Sequence, residues 1–438
     1  MQQIDTLVHA RWVIPVEPHG RILEQHAIAV HNGRIVALQP SLRARREFQA
    51  AHVVELPTHA LIPGLVNAHG HAAMTLFRGL ADDLPLMTWL GEHIWPAEQR
   101  WVSEEFVAAG TALALAEMLR GGTTCFNDMY FFPQITGRAA AAAGMRAVVG
   151  LIVLDFPSAW AADADGYFAR AVEVYDELKG HPLVRTAFAP HAPYSVADAP
   201  LVRVRKLADE LELPVHIHVH ETRDEVAQGL ERHGTRPIAR LDRLGLVSPS
   251  LVAVHMTQLE DAEIALFAAK GAHVVHCPES NLKLASGFCP VQRLLDAGVN
   301  VALGTDGAAS NNDLDMLGEL RSAALLAKGV AGDPSAVPAA MALRMATLNG
   351  AKALGLADEV GSLAPGKEAD LVAIDLSFPE TQPVHNPISQ LVYAAGRRQV
   401  SHVWIAGRPV LLEGRLTTID LDKAREAAED WRARIAAG

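Results

Sequence analysis

Through the middle of the chain, short apolar runs alternate with longer amphipathic stretches. LIPGLVNAHGH, GGTTCFND, MRAVVGLIVL, VRTAFAPH, PVHIHVHE, LVAVHM, AHVVHCP and VNVALGTD read as eight strands. Between them, segments such as EEFVAAGTALALAEMLRGG and DAPLVRVRKLADELELP carry the spacing of amphipathic helices. Eight strands separated by helical patterns predict an α/β fold, a (β/α)8 TIM-like barrel rather than an open sheet. The two ends differ in texture. TLVHARWVIPV, AIAVHNGRIVALQP and AHVVELPTHALIPG at the start, and ADLVAIDL and VSHVWIAGRPVLLEGRL near the end, alternate in short bursts between Gly, Asn and Pro, as small antiparallel strands do. AAAAAG at 139–144 reads as a helix end with a glycine cap, and LDKAREAAEDWRARIAAG as a closing amphipathic helix.

Composition narrows the partners. Of 438 residues, 50% are hydrophobic and 20% charged, enough apolar material for one large barrel and a smaller companion. A net charge of −12 argues against nucleic acid or an anionic membrane, since either would need a basic face, and leaves small neutral substrates compatible. Cys125, Cys277 and Cys289 form no CxxC pair, so neither a disulfide framework nor a thiolate zinc site is indicated. The first residues lack a basic head followed by an apolar block, and no run long enough to span a membrane occurs, so a cytoplasmic enzyme is expected.

The candidate chemistry collects where strands stop. His71, His191, Glu221, His255 and Asp306 all fall at strand ends, the face on which such barrels build active sites. A lone His-x-His is a weak signal. Here, however, His69 and His71 terminate a buried strand, point to the same side, and can meet a third imidazole and the Asp306 carboxylate brought in by other strands. Three nitrogens and one hard oxygen suit Zn2+ or Fe2+ with a position left open for water, which predicts a metal-dependent hydrolase. The fifth strand offers His216, His218 and His220 on one face, so periodicity does not choose the third ligand.

PGLVNAHGH, HVHE, HCPESNLKLASG, LGTDG and ATLNGAKALGL…VGSLAPGKEADLVAID resemble, in order and over nearly the whole chain, the amidohydrolase superfamily, and within it the branch of 5-methylthioadenosine/S-adenosylhomocysteine deaminases. The resemblance implies a small β-sandwich domain split between the chain ends: residues 1–60 as its first part, 61–365 as the barrel, and 366–438 as its second part with the C-terminal helix. It selects His218 as the third imidazole and Glu221, three residues on, as the catalytic carboxylate. His216 and His220 are left to support or pack. Some relatives place a carboxylated lysine at the end of the fourth strand to bridge two metals. His191 stands there instead, which favours one divalent ion, Zn2+ by preference, held by His69, His71, His218 and Asp306.

The implied reaction is hydrolytic deamination at C6 of an adenine ring in a small nucleoside. Glu221 moves the proton, His255 bonds the attacking water or the developing oxyanion, and Asp306 also helps protonate the leaving amine. Glu98 corresponds to the glutamate that binds the ribose diol and His191 to the histidine that meets the purine, while Trp89 either lines the pocket or simply packs. Relatives that accept the amino-acid tail of S-adenosylhomocysteine carry arginines after the third strand. VLDFPSAWAADAD has none, which favours an apolar 5′ substituent unless Arg138, Arg170 or a neighbouring subunit supplies the cation. Homo-oligomers are common among such relatives. The rival readings keep the metal and change the substrate, to guanine or a triazine, neither of which has a diol for Glu98. A noncatalytic binding protein on the same barrel would release no ammonia. Pro278, Ser280 and Asn281 could order a loop over the pocket, but turn chemistry alone explains them and they stay outside the expected site.

Overall fold

The computed structural model describes residues 1–438. Two eight-stranded sheets organise it. The first draws on both chain ends: β1 (Gln2–Val13), β2 (Leu23–His31), β3 (Arg34–Pro40), β4 (Phe48–Pro63) and, much later, β13 (Leu371–Asp375), β14 (Val400–Ile405), β15 (Arg408–Leu412) and β16 (Arg415–Leu416). Its strand order is β16-β15-β14-β13-β4-β1-β2-β3. One detail departs from the all-antiparallel expectation. β1 and β4 pair in parallel, because the short polar helix Ser41–Glu47 carries the chain back across the sheet between β3 and β4.

The second sheet is the barrel: β5 (Leu65–Gly70), β6 (Thr123–Asp128), β7 (Arg146–Val153), β8 (Val184–Pro190), β9 (Val215–Val219), β10 (Leu251–His255), β11 (His273–His276) and β12 (Asn300–Leu303), neighbours in that order and parallel throughout. All eight strand candidates are present. LIPGLVNAHGH, however, divides at Gly64, with LIP ending β4 and the remainder starting the barrel. A Cβ at Gly64 would lie 1.9 Å from the Thr124 hydroxyl oxygen, so the chain can pass from one sheet to the other there only without a side chain.

Closure occurs between β5 and the segment after β12. Gly70 and Asp306 form a parallel bridge, and the Asp306 N–H donates to the His69 carbonyl at 3.1 Å. Asn67 ties the same seam, donating to the Thr305 hydroxyl at 2.7 Å and accepting the Thr305 N–H at 3.0 Å. Gly304 lets the two backbones approach, since a Cβ there would sit 2.8 Å from that of His69. At the opposite end, Arg146 begins β7 and bonds both carboxylate oxygens of Asp370 at 3.2 Å, together with Glu368. Arg146 and Asp370 are buried, so this ion pair fastens the bottom of the barrel to the sheet made from the chain ends. No helix is long and apolar enough to cross a membrane.

Candidate active site

Four side chains converge at the C-terminal mouth of the barrel: His69 and His71 from the end of β5, His218 from β9, and Asp306 just past β12. One ligand atom from each lies within 4.8 Å of all the others. Asp306 Oδ1 is 3.2 Å from His69 Nε2 and 3.1 Å from His71 Nε2, and His218 Nε2 is 3.2 Å from His69 Nε2. Every imidazole is oriented through its other nitrogen. His71 Nδ1 donates to the Met129 carbonyl at 2.5 Å, His218 Nδ1 donates to the His191 carbonyl at 2.8 Å, and His69 Nδ1 shares a 2.8 Å hydrogen bond with His216 Nε2. The three Nε2 atoms therefore face one point, the arrangement by which outer hydrogen bonds fix metal-ligating histidines. Burial lowers His69 to about 4 and His218 well below the usual histidine range, which leaves their lone pairs free, whereas at His71 burial is outweighed by the Asp306 carboxylate and the ring is raised to about 9, so it gives up a proton on binding an ion. The donor set is N3O and fits a divalent transition ion.

His216 thus touches the ligand set through His69, whereas His220 faces elsewhere: its Nε2 accepts the Ile238 N–H at 3.3 Å, with Glu263 beyond its Nδ1 at 3.7 Å. Glu221 is buried, and loss of solvent raises its carboxyl above the ordinary glutamate range. His255 Nε2 lies 3.8 Å from Glu221 Oε2, and His255 Nδ1 donates to Asn281 Oδ1 at 2.9 Å. Asp306 Oδ2 accepts from the hydroxyls of Ser280 at 2.6 Å and Ser310 at 2.7 Å, leaving Oδ1 toward the histidines.

Several of these supports lay outside the sequence expectation. Ser280 and Asn281 belong to a short helix, Pro278–Lys283, rather than a turn, and that helix aims both into the site. Proline at its first position is a helix-start signal, so the motif HCPESN carried the information. Glu225 was not singled out by any pattern. Its buried carboxyl accepts the backbone N–H groups of His220 at 2.9 Å and Glu221 at 2.7 Å, and Thr257 donates to the Glu221 carbonyl at 2.6 Å. The turn that presents Glu221 is therefore held from both sides, although His220 has the unfavourable φ of 53°.

A cavity of about 80 Å3 adjoins this cluster and is lined by His191, Glu221, His255 and Glu98 among others. His191 Nδ1 is fixed by the Ser195 hydroxyl at 2.9 Å. Trp89 lines the cavity, and its indole N–H is buried without a partner. Glu98 comes from helix Trp95–Trp101, and burial pushes its carboxyl up to about 7. A second cavity of about 310 Å3 adjoins the first, with Trp95, Glu98, Phe131 and Phe156 lining both. No arginine or lysine lines either cavity. Arg138 is engaged by Glu177 at 2.7 and 2.8 Å, and Arg170 is an exposed residue of helix Ala164–Leu178.

A barrel with three histidines and an aspartate at its mouth, fed by both chain ends into a second sheet, defines a class of metal hydrolase. The chain belongs to the amidohydrolase family, whose model matches residues 60–410. It is similar to the 5-methylthioadenosine/S-adenosylhomocysteine deaminase of Teredinibacter turnerae, with 50% identity over 99% of this chain and 98% of the relative. The protein of that description from Saccharophagus degradans is 48% identical over 99% of this chain and 97% of its own. Among solved structures, an adenosine deaminase from Xanthomonas campestris with bound zinc superposes with a TM-score of 0.99, at 57% identity and full coverage of both chains. An atrazine chlorohydrolase from Arthrobacter aurescens, 24% identical with a TM-score of 0.90 over 98% of this chain and 100% of that one, shares the fold.

Proposed function

We propose that the protein hydrolytically deaminates the adenine ring of small nucleosides, 5′-methylthioadenosine foremost, with S-adenosylhomocysteine and adenosine as related substrates. One divalent ion, Zn2+ by preference, is held by His69, His71, His218 and Asp306 in a barrel assigned to residues 61–365. The ion supplies Lewis-acid activation of water, bringing its pKa toward about 7. Glu221 accepts the water's proton and delivers it to N1 of the ring as the oxygen adds to C6. His255, held by Asn281, hydrogen-bonds the attacking water or the oxyanion that develops at C6. The tetrahedral adduct then collapses: the C6–N bond breaks, Asp306 helps pass the remaining water proton to the departing amine, and ammonia leaves a hypoxanthine ring. His191 meets the purine, and Glu98 accepts from the ribose hydroxyls.

The observation that carries this reading is the shared cavity. Three of the four proposed metal ligands, His71, His218 and Asp306, line one cavity together with Glu221, His191 and Glu98. A free base or a triazine has no diol for Glu98. The apolar second cavity, without a cation, supports a methylthio group over a zwitterionic tail. Ammonia release measured side by side on 5′-methylthioadenosine, S-adenosylhomocysteine, adenosine, adenine and guanine tests the assignment. The expected order places 5′-methylthioadenosine first and S-adenosylhomocysteine below it, and activity confined to guanine overturns it.

A further inference from the structure

Tyr130 follows β6 and lines the cavity with His71 and Glu98. It is only 3% exposed, and its hydroxyl is buried without a hydrogen-bond partner. Burial, the adjoining Glu98 charge and a contact with that carboxylate within hydrogen-bonding reach raise the phenol well above the ordinary tyrosine range, yet the hydroxyl is not aligned on Glu98 as a full hydrogen bond requires. A buried hydroxyl with no partner is costly, so such a group in a ligand cavity marks a contact completed by the ligand. The ligand must also satisfy a constraint set by Glu98. An ionised carboxylate only accepts, so a hydroxyl pair that gives its protons to Glu98 keeps oxygen lone pairs in need of a donor. The Tyr130 O–H is a buried donor placed next to that carboxylate.

We infer that Tyr130 is a specificity-determining residue that completes the diol site: Glu98 accepts from the ribose hydroxyls while the Tyr130 hydroxyl donates to one of their oxygens. The inference rests on the nucleoside reading above and adds a residue to it. The phenol takes no part in proton transfer at C6, so its loss affects binding of the sugar and not the chemical step.

The test pairs a residue change with a substrate change. Tyr130→Phe keeps the ring and removes one oxygen. With 5′-methylthioadenosine it is expected to raise KM about 5- to 10-fold, the range for one neutral hydrogen bond, with kcat nearly unaltered. With the 2′,3′-dideoxy analogue carrying the same 5′ group, wild type and Tyr130→Phe are expected to have equal KM. Zinc content and melting temperature, measured in parallel, report any damage to the fold. An unchanged KM on the nucleoside, a fall in kcat without a change in KM, or an equal penalty on the dideoxy analogue overturns the inference while leaving the nucleoside reading intact. A wild type that deaminates only a free base overturns both.

Discussion

The two ends of the barrel both bury charge, and they handle it in opposite ways. At the bottom, Arg146 meets Asp370 and Glu368; burial opposes its charge, but the carboxylates hold the guanidinium protonated. Asp370 in turn accepts the Ala406 N–H at 2.8 Å and Glu368 also meets Arg34 at 3.5 Å, so two carboxylates are balanced by two guanidinium groups and bonded from within. At the mouth, three imidazoles and a carboxylate bring one ligand atom each to within 4.8 Å of all the others. The backbone there is also strained, with φ of 53° at His220, 74° at His255 and 60° at Asp306. Non-glycine residues in this region cost of order 1 kcal/mol or more each and persist only where the surroundings impose them. One end spends its buried charges on holding two sheets together; the other keeps them available to a ligand.

This contrast can be broken at its strongest point first. His218→Ala is expected to abolish zinc retention and lower turnover more than about 10⁴-fold, because the ion's contribution to water activation goes with it. Metal analysis of the purified variant beside an ammonia assay checks both. Next, Glu221→Gln is expected to keep the zinc and lose about 10²- to 10⁴-fold in kcat, the worth of a positioned acid–base. A variant with undiminished turnover would remove Glu221 from the proposed chemistry. At the bottom, Arg146→Met leaves buried Asp370 unpaired and should destabilise the fold by about 3–5 kcal/mol. Chemical denaturation measures that loss, while kcat of the folded, zinc-loaded protein stays within about two-fold of wild type because the two clusters are distant.

The smallest effect sharpens the comparison at the sugar side. Glu98 is raised to about 7 by burial, with Tyr130 and the imidazole of His71 as its polar and charged neighbours. Above that pH it is a carboxylate that accepts from two hydroxyls, and below it the protonated acid accepts less well. KM for the nucleoside should therefore rise as pH falls through about 7. In Glu98→Gln, which cannot titrate, that dependence should vanish and leave a pH-independent, higher KM.

Much of the frame was legible in the sequence because it rests on periodicity. All eight barrel strands, the helix ends at Gly144 and at the C-terminus, and the placement of His71, His191, Glu221, His255 and Asp306 at strand ends follow from apolar runs and what interrupts them. The His69–His71 pair was readable for the same reason. Choosing His218 from three alternating histidines was not, since alternation gives all three the same face; only family likeness separated them. What stayed hidden were contacts made through backbone atoms or between residues far apart in the chain. Glu225 acts on two peptide N–H groups, Ser280 and Ser310 act on Asp306 through hydroxyls, and Arg146 finds Asp370 across 224 positions. The parallel pairing of β1 and β4 was invisible too, because the seven residues SLRARRE, with only Leu42 and Ala44 apolar, give no apolar stripe to announce the crossover helix.

The seam between β5 and β12 has a further meaning for assembly. Its backbone pairing narrows to the Gly70–Asp306 bridge, with Asn67 and Thr305 beside it. His69 and His71 stand on one side of that seam and Asp306 on the other, 237 positions from His69. An ion held by the proposed ligands on both sides would act as a clasp across the last joint of the cylinder, so metal loading would stabilise the closed wall, and chelation would loosen that wall as well as stop the proposed chemistry.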